Sequence, residues 1–212
     1  MQVEHFIAKL SDRLRKELPG ALAHEPLRAI SLGDIRPSFT HKDPPRPGAV
    51  VILLYEEDGK LYFPLTQRAE YAGAHSGQIS LPGGKSEDGE TIDQTGLRET
   101  WEEIGIEPGK VEVLGKLSDF FVIPSNFMVT PIVGYHRGVP SFVPDPFEVA
   151  KILRGSVEDM SHEDAIQVKE IMAASIFRMQ APHFLIEGQV VWGATAMILN
   201  EFRTVLKELE LD

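Results

Sequence analysis

Three glutamates at helical spacing are the residues of this sequence that most directly suggest chemistry. Glu99, Glu102 and Glu103 lie in TIDQTGLRETWEEIG, residues 91–105, a stretch typical of a helix that ends at Gly105. At about 100° per residue their carboxylates share one helix face. The opposite face is apolar and is expected to face the core through Leu97, Trp101 and Ile104.

These carboxylates repel one another, since like charges at this spacing destabilise a helix by roughly 0.2–0.5 kcal/mol per pair. A cation would remove that repulsion. Mg²⁺ and Mn²⁺ bind carboxylate oxygens and keep positions for water and phosphate oxygens. The face therefore predicts either a divalent-metal site or, as the alternative, ordinary solvated helix surface.

A glycine-rich stretch, HSGQISLPGGKSEDGE at residues 75–90, precedes this helix. Its GGKS is similar to the end of a phosphate-binding P-loop, but that motif needs a glycine five positions before Gly84, where this sequence has Ile79. A strand-to-helix connection of this length is uncommon, and paired glycines allow close backbone approach. We therefore expect Gly83 and Gly84 to fold the loop back and bring Glu90 to the glutamate face.

The composition limits the partners of the protein. The chain has 212 residues, 21 Lys and Arg against 32 Asp and Glu, a net charge of −11, and no cysteine. An acidic balance argues against nucleic acid or an anionic membrane as the main partner. Without cysteine there is neither a disulfide nor a thiolate metal site, which fits a reducing compartment, and we predict a cytoplasmic location. No apolar run approaches the roughly 18 residues of a membrane span.

The N-terminal stretch MQVEHFIAKLSDRLRKELPG has apolar residues at helical spacing as far as Leu18, before Pro19 and Gly20. We predict an amphipathic helix packed on the body of the protein; a helix that forms a homodimer is the alternative. Residues 19–47 are rich in proline and polar groups and read as a connection. We accordingly divide the chain into an N-terminal segment, 1–47, and a main domain, 48–212.

Strands are predicted on both sides of the central helix, from apolar runs at 49–55, 61–68, 111–122 and 127–136. Residues 147–160 are mixed, strand-like pieces continue to about 192, and a helix begins near Ala194. This order predicts one α/β domain with a mixed sheet and helices on its faces.

From Gly84 onward the residues read G-x5-E-x7-R-E-T-W-E-E-I-G-I. This spacing resembles the signature of the Nudix hydrolase family at eight positions: Gly84, Glu90, Arg98, Glu99, Glu102, Glu103, Gly105 and Ile106. Thr100 stands where the family usually has an aliphatic residue, and we expect a small packing change there. The resemblance implies an α/β/α sandwich, a loop–helix–loop that holds Mg²⁺ or Mn²⁺, and hydrolysis of a nucleoside diphosphate linked to another group.

Roles for the charged residues follow from this resemblance. It implies Glu99, Glu102 and Glu103 as metal ligands, with Glu90 brought to the same site by the loop. Arg98 lies off that face and is expected to pair with Glu90 or another glutamate and so to orient the loop. The general base is either a glutamate of this signature or a carboxylate from a later loop. Glu148 is the later candidate, with an ordinary loop glutamate as its alternative.

Residues 65–84, LTQRAEYAGAHSGQISLPGG, resemble the subgroup of the family that hydrolyses coenzyme A and its derivatives. Eight residues match its pattern: Leu65, Thr66, Arg68, His75, Gly77, Pro82, Gly83 and Gly84. Ala69, Leu81 and the pair Ala72-Gly73 stand where that pattern has serine, phenylalanine and Leu-Arg.

The subgroup resemblance implies substrate contacts by Arg68, His75, Gly83 and Gly84, with Lys85 as an accessory. Arg68 could instead be a surface residue at a strand end, and His75 a hydrogen-bond partner within its loop. The expected activity is hydrolysis of coenzyme A or acyl-CoA to 3′,5′-ADP and (acyl) 4′-phosphopantetheine. Two alternatives are another substrate such as ADP-ribose or a nucleotide sugar, and a binding module without turnover.

Overall fold

The computed structural model of the protein describes residues 3–33, 38–69, 77–173 and 176–210. The helices are α1 (Val3–Leu14), α2 (Ala21–His24), α3 (Ile92–Ile104), α4 (Val157–Ser161) and α5 (Gly193–Glu210). The strands are β1 (Ile30–Ser31), β2 (Arg46–Glu57), β3 (Lys60–Arg68), β4 (Ile79–Ser80), β5 (Gly83–Lys85), β6 (Val111–Lys116), β7 (Phe120–Val122), β8 (Phe127–His136), β9 (Val149–Ser156), β10 (Ile166–Ala173), β11 (Phe177–Ile186) and β12 (Gln189–Trp192).

The larger sheet is mixed, as the sequence predicts. Its central order is β4–β3–β2–β8–β6, with β5 paired to β2, β7 to β8 and β9 to β3. Strands β2 and β8 run parallel, and the other described pairings of this sheet are antiparallel. A smaller sheet has the order β1–β11–β10, with β12 also paired to β11.

Strand β2 is buried on both faces because helices cover both. Ala49, Val51 and Leu53 join a cluster with Ile104 of α3, whereas Ile52 and Leu54 join the larger cluster that contains α1 and α5. An uninterrupted apolar run is the pattern expected of a strand covered on both sides. Helices on both faces of a mixed sheet make an α/β/α sandwich, which confirms the predicted fold class.

Two predicted elements differ in extent. Helix α1 was predicted to continue to Leu18 but ends at Leu14. Just after Leu14 the Lys16 N–H donates to the Arg13 carbonyl oxygen and closes a turn. The predicted strand at 111–122 is two strands, β6 and β7, both paired to β8. They separate where the Leu117 N–H donates to the Pro131 carbonyl and Thr130 donates to Asp119 at 2.6 Å.

Helix α1 packs on the body of the protein, with Ile7, Leu10 and Leu14 buried in the larger cluster. This confirms its predicted packing. No helix in the described part of the chain is long and apolar enough to cross a membrane.

A fully buried glutamate, Glu201 of α5, ties the N-terminal segment to the last helix. Its carboxylate accepts hydrogen bonds from the Gly20 N–H at 3.0 Å, from Ser118 Oγ at 2.7 Å, and pairs with His24 Nε2 at 2.9 Å. Burial alone would raise the pKa of Glu201, but these partners outweigh burial and hold the pKa below its ordinary value. Glu201 is therefore a buried structural carboxylate whose negative charge is stabilised by hydrogen-bond donors of the protein.

We expect Glu201→Gln to lower the free energy of unfolding by about 2–4 kcal/mol at pH 7, because it leaves buried donors without their anion. Since the pKa of Glu201 is depressed, its stabilisation is present above the unfolded pKa and is lost as the pH falls through the folded pKa. The difference between wild type and variant should thus shrink in acid. Urea unfolding from pH 7 to pH 3 measures it.

Glu208→Gln is the matched control, since Glu208 lies on the same helix and its side chain is 44% exposed in its pair with Arg13. Its loss should stay within about 1 kcal/mol. A Glu201→Gln variant as stable as this control would contradict the structural role.

Candidate active site

Helix α3 carries the glutamates and has well-defined ends. Its first turn has a capping box, in which the Gln94 N–H donates to Thr91 Oγ1 at 3.3 Å and the Thr91 N–H donates to Gln94 Oε1 at 2.8 Å. It ends at Gly105, whose φ of 77° suits glycine and whose N–H donates to the Trp101 carbonyl. These caps fix which residues belong to the helix.

The core-facing side of α3 differs from the prediction. Its buried residues are Thr95, Gly96, Thr100, Glu103 and Ile104, whereas Trp101 is 53% exposed. Gly96 explains the difference, since a Cβ there would lie 2.6 Å from Ile132 Cδ1 and 3.0 Å from Val51 Cγ2. The helix approaches the sheet through its smallest residues, and placing Trp101 on the core side was wrong.

Thr100, which stands at the usually aliphatic position, is fully buried. Its hydroxyl donates to the Gly96 carbonyl oxygen at 2.8 Å. The hydroxyl is thereby satisfied within the helix, so threonine fits this buried position without an unpaired polar group.

Glu103 is buried at the bottom of the site, with 5% of its surface exposed. Burial raises its pKa to about 8; the charge of Arg68 and a hydrogen bond from the Gly83 N–H lower it, and the charges of Glu148 and Glu99 raise it further. Its Oε2 atom has no hydrogen-bond partner. A buried, unpaired carboxylate oxygen is costly and calls for a proton or a cation.

Glu99 lies against the glycine strand β5. A Cβ on Gly84 would come within 2.5 Å of Glu99 Cδ and 2.6 Å of both carboxylate oxygens. Gly84 thus makes the space that this carboxylate occupies. Burial raises the pKa of Glu99; Arg98 lowers it, and the charges of Glu102 and Glu148 raise it further.

Arg98 connects the loop to the helix. Its Nε and Nη2 donate to the two oxygens of Glu90 at 2.6 and 3.1 Å, and Nη2 also donates to the Lys85 carbonyl at 3.0 Å. Its Nη1 donates to Glu99 at 3.0 Å and to Glu102 at 2.8 Å. The predicted pairing of Arg98 with Glu90 is confirmed, but placing Arg98 off the glutamate face was wrong, because it also bonds to Glu99 and Glu102.

Glu90 is fully engaged in this arrangement. Besides Arg98, it accepts from Thr95 Oγ1 at 3.0 Å and from the Glu87 N–H at 2.9 Å. The hydrogen bond from Arg98 and, to a smaller extent, that from the Glu87 N–H lower the pKa of Glu90 to about 2. The loop therefore delivers Glu90 to Arg98, at the edge of the glutamate face.

The other predicted site residues that the structure describes are Arg68, Glu148 and Lys85. Arg68 is the last residue of β3 and is half-buried, and its positive charge lowers the pKa of Glu103. Glu148 is exposed, and its negative charge raises the pKa of both Glu99 and Glu103. Its backbone carbonyl accepts a hydrogen bond from the Ala69 N–H at 2.9 Å. The Lys85 side chain is exposed at the end of β5. His75 lies outside the described residues.

Within the described ranges, no three carboxylate or histidine side chains already converge on a common metal-binding point. The guanidinium of Arg98 instead supplies the positive charge between Glu99 and Glu102. The residues nevertheless fit a divalent cation, because Glu103 has an unpaired buried oxygen, Gly84 makes room beside Glu99, and the Glu102 side chain is 52% exposed. All donors are hard oxygens of the kind that Mg²⁺ and Mn²⁺ prefer.

Comparison with known proteins agrees with this geometry. The family model described as the NUDIX domain matches residues 44–174, more than half of the chain. The chain therefore belongs to the Nudix hydrolases, enzymes that act on diphosphate bonds.

Two curated relatives and one solved structure show how far the similarity extends. The chain is 31% identical over 173 residues to Nudix hydrolase 3 of Caenorhabditis elegans, covering 74% of this chain and 72% of that protein. It is 38% identical over 181 residues to the mitochondrial Nudix hydrolase 15 of Arabidopsis thaliana, covering 79% and 62%. A crystal structure of a C. elegans Ap4A hydrolase binary complex aligns with a TM-score of 0.51 at 17% identity, covering 77% of this chain and 98% of that one, and supports the fold.

Sequence reasoning missed two residues that support the site. Thr95 holds Glu90, and the Asp145 N–H donates to the Glu103 carbonyl at 3.0 Å, fixing the β8–β9 loop to the end of α3. Neither has a local sequence signal. Gly96 did offer one, because glycine inside a helix costs about 1 kcal/mol relative to alanine and indicates close packing.

The two adjacent glycines give contrasting predictions. Gly84→Ala would displace only the flexible end of Glu99, so we expect a stability loss below about 1 kcal/mol but a loss of hydrolytic activity of about tenfold or more. Gly83→Ala would place Cβ 2.2 Å from the Ala49 carbonyl oxygen at a φ of 150°, and should destabilise the fold by about 2 kcal/mol or more.

Thermal unfolding and diphosphate hydrolysis, measured on both variants, check this contrast. If Gly84→Ala keeps wild-type activity, the glycine does not serve to seat Glu99.

Proposed function

We propose that this protein is a metal-dependent pyrophosphohydrolase that cleaves the diphosphate of coenzyme A or acyl-CoA to 3′,5′-ADP and (acyl) 4′-phosphopantetheine. The observation that carries the catalytic part is the buried, unpaired Oε2 of Glu103 beside the half-buried Glu99. Coenzyme A as the substrate rests on the resemblance of residues 65–84 to the coenzyme A-hydrolysing subgroup.

Glu99, Glu102 and Glu103 are the proposed ligands of Mg²⁺ or Mn²⁺. When bound, such a cation neutralises the diphosphate and makes attack by water easier. Glu102 would turn away from Arg98 to join the other two, which its exposed position allows. Glu90, predicted as a ligand, is assigned instead to hold Arg98, because its oxygens already accept four hydrogen bonds.

Arg98 acts as a positioning residue. It joins Glu90, the Lys85 carbonyl and two of the proposed ligands through one planar group. A guanidinium presents its donors in a fixed fork, which lysine does not reproduce. Arg98 therefore sets the separation between the loop and the helix.

Arg68 is the proposed contact of a substrate phosphate, since its charge lies close to Glu103 at the end of β3. Gly83 and Gly84 bring the backbone of β5 to the same place, and Lys85 at its end is the accessory cation. His75 remains a predicted contact.

Glu148 is the proposed general base. Its carboxylate is exposed and therefore accessible to water, and its negative charge raises the pKa of both Glu99 and Glu103, which indicates that it lies near them. A glutamate of the helix is the alternative base.

A different nucleoside diphosphate derivative, such as ADP-ribose or a nucleotide sugar, is the second candidate substrate. The observation that favours it is the pair Ala72-Gly73, which stands where the coenzyme A pattern has Leu-Arg. Arginine is the residue best suited to bind an additional phosphate such as the 3′-phosphate of coenzyme A.

A substrate panel distinguishes these candidates. With Mg²⁺ or Mn²⁺, we expect coenzyme A and an acyl-CoA to give 3′,5′-ADP and the matching phosphopantetheine with higher kcat/KM than ADP-ribose or a nucleotide sugar. Chromatography of the products measures both rate and cleavage position. Much faster cleavage of ADP-ribose or of a nucleotide sugar would contradict the coenzyme A assignment but leave the metal chemistry intact.

Glu103→Gln tests the proposed metal site through two readouts. Activity should fall by about 100-fold or more, because a charged ligand is lost. The metal-free variant should be more stable than metal-free wild type at pH 8, by about 2 kcal/mol. The native pKa of about 8 exceeds the ordinary 4.5, so the folded wild type binds more protons and loses stability as the pH rises across that interval.

Glu102→Gln is the matched control for this experiment, because Glu102 is half exposed. It should lower activity while changing metal-free stability by less than about 0.5 kcal/mol. Full activity in either variant at saturating metal would refute the ligand assignment.

We further propose a cytoplasmic location and a small-molecule nucleotide derivative as the partner, rather than nucleic acid or a membrane. A homodimer remains the alternative to a monomer, and the proposed boundary separates residues 1–47 from residues 48–212.

A further inference from the structure

An aromatic side chain, Phe147, stands almost fully in solvent beside the site. It is 89% exposed and lies in the loop that joins β8 to β9, one residue before the proposed base Glu148. A single exposed apolar residue is ordinary on a protein surface. The position of this residue and the way its backbone is held distinguish it.

The backbone around Phe147 is held by Asp145. The carboxylate of Asp145 accepts from the Phe147 N–H at 2.7 Å, and its carbonyl accepts from the N–H groups of Glu148 and Val149 at 3.2 and 2.8 Å. Prolines 144 and 146 flank it and restrict the chain further. Because the Asp145 N–H also donates to the Glu103 carbonyl, the loop is attached directly to the end of α3.

The same loop is attached to the strand that carries the proposed phosphate contact. The Ala69 N–H donates to the Glu148 carbonyl, and Arg68 lies opposite Val149 where β3 pairs with β9. Phe147 is two residues before Val149. An aromatic ring and a guanidinium are thus mounted on neighbouring backbone segments at the edge of one site.

We propose that Phe147 is the platform on which the nucleobase of the substrate stacks, while Arg68 receives its phosphate; this rests on the proposed function, in that the site must bind a nucleotide. A nucleoside phosphate carries a flat aromatic base and an anion within one small group, which matches the pair. An aromatic face binds any base by stacking and forms no hydrogen bond that would select one. Phe147 therefore contributes affinity for nucleotides in general. Other residues must distinguish the groups attached to the nucleoside diphosphate.

Equilibrium binding of two matched probes, 5′-AMP and ribose 5-phosphate, tests the platform in the presence of Mg²⁺. Both probes contain ribose and a 5′-phosphate, but only 5′-AMP carries a nucleobase. By isothermal titration calorimetry, Phe147→Ala should bind 5′-AMP about tenfold more weakly and ribose 5-phosphate as wild type does. Phe147→Tyr, which keeps the ring, should bind 5′-AMP within about twofold of wild type.

Val139→Ala is the control within the same loop, since Val139 is 57% exposed and takes no part in the site. It should bind both probes like wild type. Unchanged 5′-AMP affinity in Phe147→Ala, or an equal loss for both probes, overturns the proposal. So does weakened binding of 4′-phosphopantetheine with 5′-AMP unaffected, because Phe147 would then contact the pantetheine arm.

The readout is independent of turnover, so the two proposals fail separately. Base-dependent binding through Phe147 without cleavage of coenzyme A supports the platform and rejects the substrate. Cleavage of coenzyme A with a kcat/KM that Phe147→Ala leaves unchanged supports the function and rejects the platform.

Discussion

The close approach of helix α3 to strand β2 is the constraint on which the site depends. Gly96 lets the helix backbone come so near that a methyl group there would collide with Ile132 and Val51. This contact turns Thr100 and Glu103 inward. A larger side chain at position 96 would require Ile132, Val51 or the helix itself to shift, and a shift of the helix would move Glu99 and Glu103 with it. The catalytic geometry is thus set by the packing of a residue that has no chemistry of its own.

Charge balance follows from that packing. Turning Glu103 toward the core leaves a carboxylate with an unpaired oxygen near two others. Arg98 compensates for part of this charge and at the same time fixes the glycine loop through Glu90 and Lys85. The site is consequently held together by an ion network whose components are also the proposed catalytic groups. Arg98 keeps its bonds to Glu90 and to the Lys85 carbonyl when Glu102 turns away, so the loop can stay in place while a cation binds.

Much of this arrangement could be predicted from the sequence because the signals are local. The β2 run, the end of α3 at Gly105 and the spacing of the glutamates each depend on neighbouring residues alone. The face of α3 was mispredicted because hydrophobic periodicity favours large apolar residues such as Trp101, whereas close packing favours small ones such as Gly96. The contacts of Glu90 with Thr95 and of the Asp145 loop with Glu103 depend on tertiary structure, and no pattern in one sequence reports them. The division of the 111–122 run into two strands likewise depends on β8, their common partner.

The bonds of Glu201 to Gly20 and His24 span 181 and 177 residues of chain. At a synthesis rate of roughly 5–20 residues per second, the N-terminal segment waits about ten to thirty-five seconds for its partner to be made. During that time the buried positions of Leu10 and Leu27 are not yet covered by α5. Growth temperature and chaperone supply should therefore affect the yield of this protein through that interval, because α5 also supplies part of the core that covers one face of the larger sheet.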